Sequence, residues 1–149
     1  MSNNPRAIVE IEHDDYHAKH VRWTADGRQF FLTNPFVPAY DGKIGGEFIA
    51  LYIFDGDGKL LDATIDELGP RSSFDREKAK KLYEQRLKEL GKVHFRRIRV
   101  VPFSLTRFGI EFGLVLRVPE TDEDPWAVEA LPGNYMAFFE PWDSGEYDT

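Results

Sequence analysis

The chain has 149 residues, enough for one domain whose core needs no metal or disulfide to hold it. Its 42% of hydrophobic residues excludes a disordered chain, and the absence of cysteine excludes disulfide scaffolds and thiolate-bound metals. The net charge of −7 argues against a general binder of nucleic acid or anionic membranes, and no apolar run reaches the roughly 18 residues of a membrane span. The polar first residues do not resemble a signal peptide. We therefore expect a single cytoplasmic domain over residues 1–149, without a membrane contact or a cofactor.

In the first half of the chain, apolar segments separated by turn sequences predict successive strands. The turn at residues 25–27 (Ala-Asp-Gly) is a strong hairpin signal, and residues 55–58 (Asp-Gly-Asp-Gly) form a second turn. Residues 34–46, which contain prolines and glycines, are predicted to be a loop. Residues 47–54 are apolar on both faces, which is typical of a central strand. The other predicted strands of this half are residues 7–12, 21–24, 28–33 and 59–65.

One helix is predicted over residues 74–90, with Ser72 or Ser73 as its N-cap and Gly91 after its end. Its apolar residues fall on one arc of the helical wheel, and two Glu–Lys pairs lie on the opposite, solvated face. Arg86 falls inside the apolar arc, so we expect a partly buried guanidinium that is paired with a carboxylate. The alternative is that this side chain follows the edge of the arc and reaches water. The expected partners come from the acidic C-terminal third and are Glu129, Glu140 and Asp143.

The second half of the chain is predicted to continue as hairpins. Residues 93–101 alternate as one strand, which directs Ile98 and Val100 inward and the neighbouring arginines outward. Two turn sequences follow, Phe-Gly at residues 108–109 and Pro-Gly-Asn at residues 132–134. The strands predicted around them are residues 103–106, 110–118, 126–131 and 135–140. Successive hairpins with one helix predict an α+β fold, with a mainly antiparallel sheet and one principal helix packed on one face.

Charge is distributed unevenly along the chain. Residues 75–99 contain ten basic and four acidic side chains, whereas residues 120–149 contain nine acidic and no basic ones. The first interpretation is that the acidic end lies against the basic middle of the same domain. The second is a basic face that binds an acidic partner, including the acidic end of another copy in a homodimer. Net charge alone does not separate these interpretations.

Three histidines and two aspartates lie close together near the N-terminus. They are His13, His17 and His20, with Asp14 and Asp15 between them. In a helix, this spacing would place the three imidazoles on one face, where they could bind Zn, Ni, Cu or Fe. The segment instead joins two predicted strands, so we expect that the three rings do not converge and that no metal is bound.

Two further polar segments have both a structural and a functional interpretation. Residues 55–59 resemble a calcium loop, but Leu60 and Asp66 stand where the glycine and the bidentate glutamate are required, so a hairpin turn is the better account. Residues 70–73 lead into the predicted helix, where free N–H groups beside Arg71 could bind an anion. Helix capping alone explains the serines and is the favoured interpretation.

The C-terminal tail contains large aromatic side chains in a polar setting. Trp142 and Tyr147 lie beside acidic residues such as Asp143, and an apolar surface in such a place must be covered. We expect the tail to dock on its own domain. The alternative is that it lines a groove for a partner protein or a small ligand.

Several short motifs occur together and in a fixed order. They are residues 14–17 (DDYH), 25–31 (ADGRQFF), 54–58 (FDGDG), 112–114 (FGL), Trp126, 141–143 (PWD) and 147–149 (YDT). This order resembles a bacterial family often labelled formate hydrogenlyase regulatory protein-like. The resemblance covers most of the chain outside the helix, and it implies a regulatory role.

From the sequence we therefore expect a non-catalytic regulatory or binding protein whose partner is a protein or a small molecule. The alternative is a small metal-dependent hydrolase that uses His13, His17 and His20 with a nearby aspartate. No catalytic side chain is assigned in the preferred interpretation. The expected ligand or partner surface consists of Asp14, Asp15, Tyr16, His17, Arg71, Trp142, Asp143 and Tyr147.

Overall fold

The computed structural model of the protein describes residues 9–11, 20–37, 45–70, 73–91, 93–95, 98–117, 119, 121, 123, 126–132, 136–139 and 145–147. Its strands are β1 (Val9–Ile11), β2 (His20–Thr24), β3 (Gln29–Thr33), β4 (Phe36–Val37), β5 (Gly46–Phe54), β6 (Leu60–Gly69), β7 (Val93–Phe95), β8 (Ile98–Val100), β9 (Phe103–Arg107), β10 (Ile110–Arg117), β11 (Ala127–Leu131), β12 (Met136–Phe139) and β13 (Gly145–Tyr147). One helix, α1, spans Arg76–Glu89. Antiparallel sheets linked by hairpins, with one helix in these ranges, confirm the predicted α+β class. Within the same ranges, no helix is long and apolar enough to cross a membrane.

The larger sheet is built around β5. This strand pairs with β3 and then β4 along one side and with β6 along the other, and β2 and β7 continue the sheet beyond β3. All of these pairings are antiparallel. Residues of β3 and most residues of β5 are buried on both faces, as predicted for central strands. Among the described strands, β6 and β7 are therefore the two edges of this sheet.

A second sheet and a short ribbon complete the β structure. Strands β9 to β13 form a five-stranded antiparallel meander, in which each strand pairs with the one before it. Strands β1 and β8 form a separate two-stranded ribbon. The buried side chain of Gln29 joins this ribbon to the larger sheet, because it accepts from the N–H of Arg99 and donates to the carbonyl of Asp55 at 3.0 Å.

Gly58 lies where the ribbon passes the turn that follows β5. Its carbonyl accepts a hydrogen bond from the N–H of Val101 at 2.8 Å, and its φ of +91° lies in the left-handed region that favours glycine. A Cβ added here would collide with the carbonyl oxygen of Arg99 and would lie 2.9 Å from the Cα of Val100. The close approach of two backbone segments therefore requires glycine at this position.

Two apolar cores lie on opposite faces of the larger sheet. On one face β5 packs against the meander, with the rings of Phe48 and Phe112 5.1 Å apart and those of Tyr52 and Phe103 4.8 Å apart. The other face packs against α1. Its contacting residues are Phe30, Leu32, Ile49 and Leu51 on the sheet and Leu82, Tyr83, Leu87 and Leu90 on the helical segment. The described residues thus form three layers, consisting of the helix, the larger sheet and the meander.

The helix begins later than the sequence predicted. Its N-cap is Asp75, whose carboxylate accepts hydrogen bonds from the N–H groups of Glu77 at 3.0 Å and Lys78 at 3.1 Å. The N–H of Ser73 instead donates to the carbonyl of Pro70, in a turn that precedes the helix. The predicted serine cap is therefore wrong for Ser73, and residues 71–72 lie outside the described residues.

Three strand predictions also differ from the structure. Strand β6 continues to Gly69 rather than ending at residue 65, because residues 66–69 pair with the first half of β5 despite their low strand propensity. Residues 93–101 are divided between β7, which pairs with β2, and β8, which pairs with β1. Strand β4 lies inside a predicted loop and is formed by its pairing with the start of β5. Within β8, the inward direction of Ile98 and Val100 and the outward direction of Arg99 are confirmed.

Candidate functional site

Most of the site residues predicted from the sequence lie outside the described residues. These are His13, Asp14, Asp15, Tyr16, His17, Arg71, Trp142 and Asp143. His20 and Tyr147 are described by their backbone alone. His20 is the first residue of β2, opposite Leu32, and Tyr147 lies in β13, opposite Met136. Whether the three histidines converge, and whether the aromatic tail covers the domain, therefore remain predictions.

The backbone of the tail segment does pair with the rest of the domain. Strand β13 is antiparallel to β12 and forms one edge of the meander in the described part of the chain. Docking of the tail is confirmed for the backbone of Gly145–Tyr147, whereas Trp142 lies outside the described ranges. The structure therefore supports a docked tail without placing its aromatic side chains.

Polar residues at two hairpin turns are used to close those turns. The Asp55 carboxylate accepts from the N–H groups of Asp57 and Lys59, both at 2.9 Å, in the turn that joins β5 to β6, so the predicted hairpin turn is confirmed. At the β2–β3 turn, Asp26 accepts from the hydroxyl of Thr24 and from Nε of Arg28, and these hydrogen bonds lower the pKa of Asp26. Among the described residues, no group of three or more histidine, aspartate or glutamate side chains is placed to hold a metal.

Arg86 is partly buried and ion-paired, as predicted, but its partners differ from the prediction. Its Nε and Nη2 donate to the two carboxylate oxygens of Asp66 on β6 at 2.9 and 3.0 Å, and its Nη1 donates to Glu89 at 3.1 Å. These hydrogen bonds, first of all those to Asp66, hold the pKa of Arg86 above its usual range although burial opposes this. The side chains of Arg86 and Asp66 are only 18% and 21% exposed. This bidentate pair fixes α1 to the edge strand of the larger sheet.

The predicted partners from the acidic C-terminal third were wrong because the meander and the helix lie on opposite faces of the larger sheet. Glu129, the predicted partner that the structure describes, pairs with Arg117 on the neighbouring strand β10 at 3.0 Å. Glu140 and Asp143 lie outside the described residues. The described strands of the C-terminal third therefore do not cover α1, although Val128 and Ala130 share a core with Ile98 of the basic segment. Whether the acidic side chains lie against residues 75–99 stays a prediction, because most of them lie outside the described residues.

The outer side of β6 carries backbone groups that pair with no strand in the described part of the chain. The N–H of Phe48 donates to the carbonyl of Pro35, on the β4 side of β5. Because successive residues of a strand point their backbone N–H and C=O groups to alternate sides, these groups of residues 49, 51 and 53 point toward β6. Their partners on β6 therefore point back to β5. The β6 residues whose N–H and C=O groups point outward are Ala63, Ile65 and Glu67, and no described strand pairs with them.

The side chains of β6 differ between its two faces and its two ends. Asp62, Thr64 and Asp66 lie on the helix side, while Ala63 and Ile65 pack on the core that faces the meander. Leu61 and Leu68 have no opposite residue, because the pairing with β5 shifts by one residue near each end. The regular part of the edge is therefore residues 62–67. Asp62 and Glu67 are its exposed charges, and β6 contains no Lys or Arg.

An exposed aromatic ring stacks on β5, the strand next to this edge. Phe108 is at the tip of the β9–β10 hairpin, is 54% exposed, and stacks on Phe48 with ring centroids 6.0 Å apart. Phe48 lies directly opposite Glu67 of β6, so Phe108 stacks on the β5 residue that neighbours the Glu67 end of the edge. The φ angles of Phe108 and Gly109 are +55° and +72°, the geometry of a two-residue hairpin turn in which asparagine usually stands first. A phenylalanine with positive φ is rare because its Cβ crowds the backbone.

Sequence reasoning did not identify the β6 edge or Phe108 as a surface. The sequence signal for Phe108 was the Phe-Gly turn itself, since a large apolar residue stands where a small polar one is expected. The signal for the edge was weaker, because residues 66–69 do not have the composition of a strand. No family model, curated protein or solved structure matches the chain, so its function has to be inferred from this geometry.

Proposed function

We propose that the chain is a non-catalytic binding protein that takes up an extended segment of a partner protein as an additional strand on β6. The observation that carries this proposal is the row of outward N–H and C=O groups on Ala63, Ile65 and Glu67. Open edges of this kind template the pairing of another chain, and main-chain hydrogen bonds to a sheet edge are a common way of binding peptides. The regulatory role expected from the sequence motifs is part of this proposal, and such binding is the means by which the chain would exert it.

The ion pair between Arg86 and Asp66 supports this function by making the edge rigid. It holds β6 against the helix at Asp66, between the outward-pointing residues Ile65 and Glu67, so these groups are positioned before a partner arrives. Preorganisation of this kind lowers the conformational entropy lost on binding. The bulges at Leu61 and Leu68 limit the regular edge to residues 62–67, which suits a short segment rather than a long one.

The test compares two variants of Ala63, whose N–H points outward. Ala63→Pro removes this donor without breaking a hydrogen bond to β5, whereas Ala63→Val adds similar bulk and keeps the donor. The probe is a fluorescein-labelled peptide of about eight residues in which Lys and Val alternate. We expect Ala63→Pro to weaken binding about two- to tenfold, because one hydrogen bond has a net value of about 0.5–1.5 kcal/mol. Fluorescence anisotropy measures the affinities, and circular dichroism checks that both variants fold.

A control on the peptide side separates strand addition from charge attraction. N-methylation removes the backbone N–H donor of a peptide residue. Two peptides can be made with every second residue methylated, and only one of them lacks the N–H groups that point to β6. We expect one methylated peptide to lose binding and the other to keep it, although their charges are identical. The proposal is wrong if Ala63→Pro and Ala63→Val bind the probe equally, or if both methylated peptides bind as the unmodified one does.

A further inference from the structure

The two faces of the β6 edge differ in chemistry, and this difference defines the class of partner. We infer that the segment added to β6 alternates basic and apolar side chains, with its apolar face ending against Phe108. This inference rests on the function proposed above and adds the sequence pattern of the partner. It also assigns a binding role to the exposed side chain of Phe108.

The helix side of the edge selects basic side chains. Asp62 is exposed, and Glu89 of α1, whose side chain is 47% exposed, lies beside the Arg86–Asp66 pair. A strand added to β6 would place every second side chain on this face, with Cβ atoms about 4.5–5.5 Å from those directly opposite. Lys or Arg at these positions would lie next to Asp62, whereas Asp or Glu there would be repelled.

The opposite side of the edge selects apolar side chains along Ala63 and Ile65, and the exposed Glu67 ends this side. Ala63 and Ile65 pack on the core between the larger sheet and the meander. The remaining side chains of an added strand would extend this core along its open border. At the Glu67 end they would reach the exposed part of the Phe108 ring, which lies over Phe48.

Phe108 is better explained by a partner than by its turn. Both turn residues have positive φ, and asparagine adopts this conformation with less strain than phenylalanine. Stacking on Phe48 covers part of the ring, yet 54% of the residue stays exposed. Exposed aromatic side chains on a rigid element are frequent anchors of protein interfaces.

A second copy of the chain is a poorer occupant than a basic segment. Pairing of two β6 edges would bring Asp62 and Glu67 of both copies into one ribbon that has no Lys or Arg of its own. In the register centred on Thr64, Asp62 would lie directly opposite Asp66 of the copy, and like charges in such positions are destabilising. Charge complementarity therefore favours a basic partner.

The experiment measures three peptides of equal length against the wild-type chain and two variants at residue 108. In the peptides, Val alternates with Lys or with Glu, or Ser alternates with Lys. We expect the Lys–Val peptide to bind at least about tenfold more tightly than either of the others. Phe108→Asn should weaken the binding of the Lys–Val peptide about fivefold, because it removes the apolar area that the partner covers. Phe108→Tyr keeps the ring and should bind like the wild type.

The possible outcomes are distinguishable. Equal binding of the Lys–Val and Glu–Val peptides, or an unchanged affinity of Phe108→Asn, overturns the inference but leaves the proposed function standing if Ala63→Pro still weakens binding. An unchanged affinity of Ala63→Pro overturns both. A chain that dimerises through β6 in sedimentation experiments, with the dimer lost in Ala63→Pro, overturns the inference in favour of a second copy. Thermal unfolding of Phe108→Asn confirms that loss of binding is not loss of the fold.

Discussion

The bidentate pair between Arg86 and Asp66 makes a measurable prediction about how the helix is held. Arg86→Met keeps most of the apolar stem in place and removes the guanidinium, while Asp66→Asn removes the carboxylate charge. Both side chains are about four-fifths buried, so water replaces the lost hydrogen bonds poorly. Hydrogen bonds to charged groups have a net value of about 1.5–3 kcal/mol, and we take the lower part of this range because one edge of the pair is exposed.

We expect either single substitution to lower the free energy of unfolding by about 2 kcal/mol. The free energy of unfolding of the double variant should be only slightly lower than that of either single variant, because the first substitution already breaks the pair. The predicted coupling energy between the two side chains is therefore about 1.5 kcal/mol. For a chain of this size, each single substitution should lower Tm by about 6 °C. Urea unfolding followed by circular dichroism measures all four chains of this double-mutant cycle.

A matched cycle on the surface provides the control. Arg117 and Glu129 form an ion pair at a similar distance, 3.0 Å, but their side chains are 48% and 44% exposed. Their coupling energy should be about 0.5 kcal/mol or less, as for other exposed pairs. A coupling energy for Arg86 and Asp66 as small as that of the exposed pair would refute the reasoning from burial.

Further predictions concern the turns, the core and metal binding. Gly58→Ala should lower the free energy of unfolding, measured with urea, by about 3 kcal/mol. Gly27→Ala is the control and should lower it by about 1 kcal/mol, because Gly27 has a similar φ of +85° but no atom within 4 Å of the new Cβ. Tyr52→Phe should raise the free energy of unfolding by about 1 kcal/mol, because the buried Tyr52 hydroxyl has no hydrogen-bond partner among the described residues. Burial also raises the pKa of this hydroxyl. The lowered pKa of Asp26 stabilises the fold above the pKa of the unfolded chain, so Asp26→Asn should lower Tm at pH 7, and the difference should disappear as the pH falls through the lowered pKa of the folded chain. Protein purified without a metal-affinity tag should contain no stoichiometric metal by elemental analysis; one zinc per chain would instead favour the hydrolase hypothesis for the N-terminal histidines.

The fold could be predicted where the signals are local. The turns at residues 25–27, 55–58 and 108–109 each join two strands in the structure, because their short glycine-containing sequences determine the backbone conformation there. The position of residues 47–54 at the centre of a sheet followed from apolar side chains on both faces. The partly buried state of Arg86 followed from its place on the helical wheel.

The remaining features depend on contacts between distant parts of the chain. The partner of Arg86 could not be derived because it depends on which face of the sheet the helix covers, and the charge distribution indicated the wrong one. The division of residues 93–101 between two sheets has no sign in their regular alternation. The open edge of β6 depends on which strand ends the sheet, and strand order is not a property of any single segment.

The arrangement of the three layers has a consequence for how the protein opens. No described residue of α1 is completely buried, and the helix is attached through a few half-buried side chains and the Arg86 pair. Its amide hydrogens should therefore exchange through a local opening of lower free energy than global unfolding. Such an opening would uncover an apolar surface beside the edge of β6, with which no described strand pairs; this surface consists of Phe30, Leu32, Ile49 and Leu51. The layer that is easiest to detach is thus also the one that protects the sheet from aggregation.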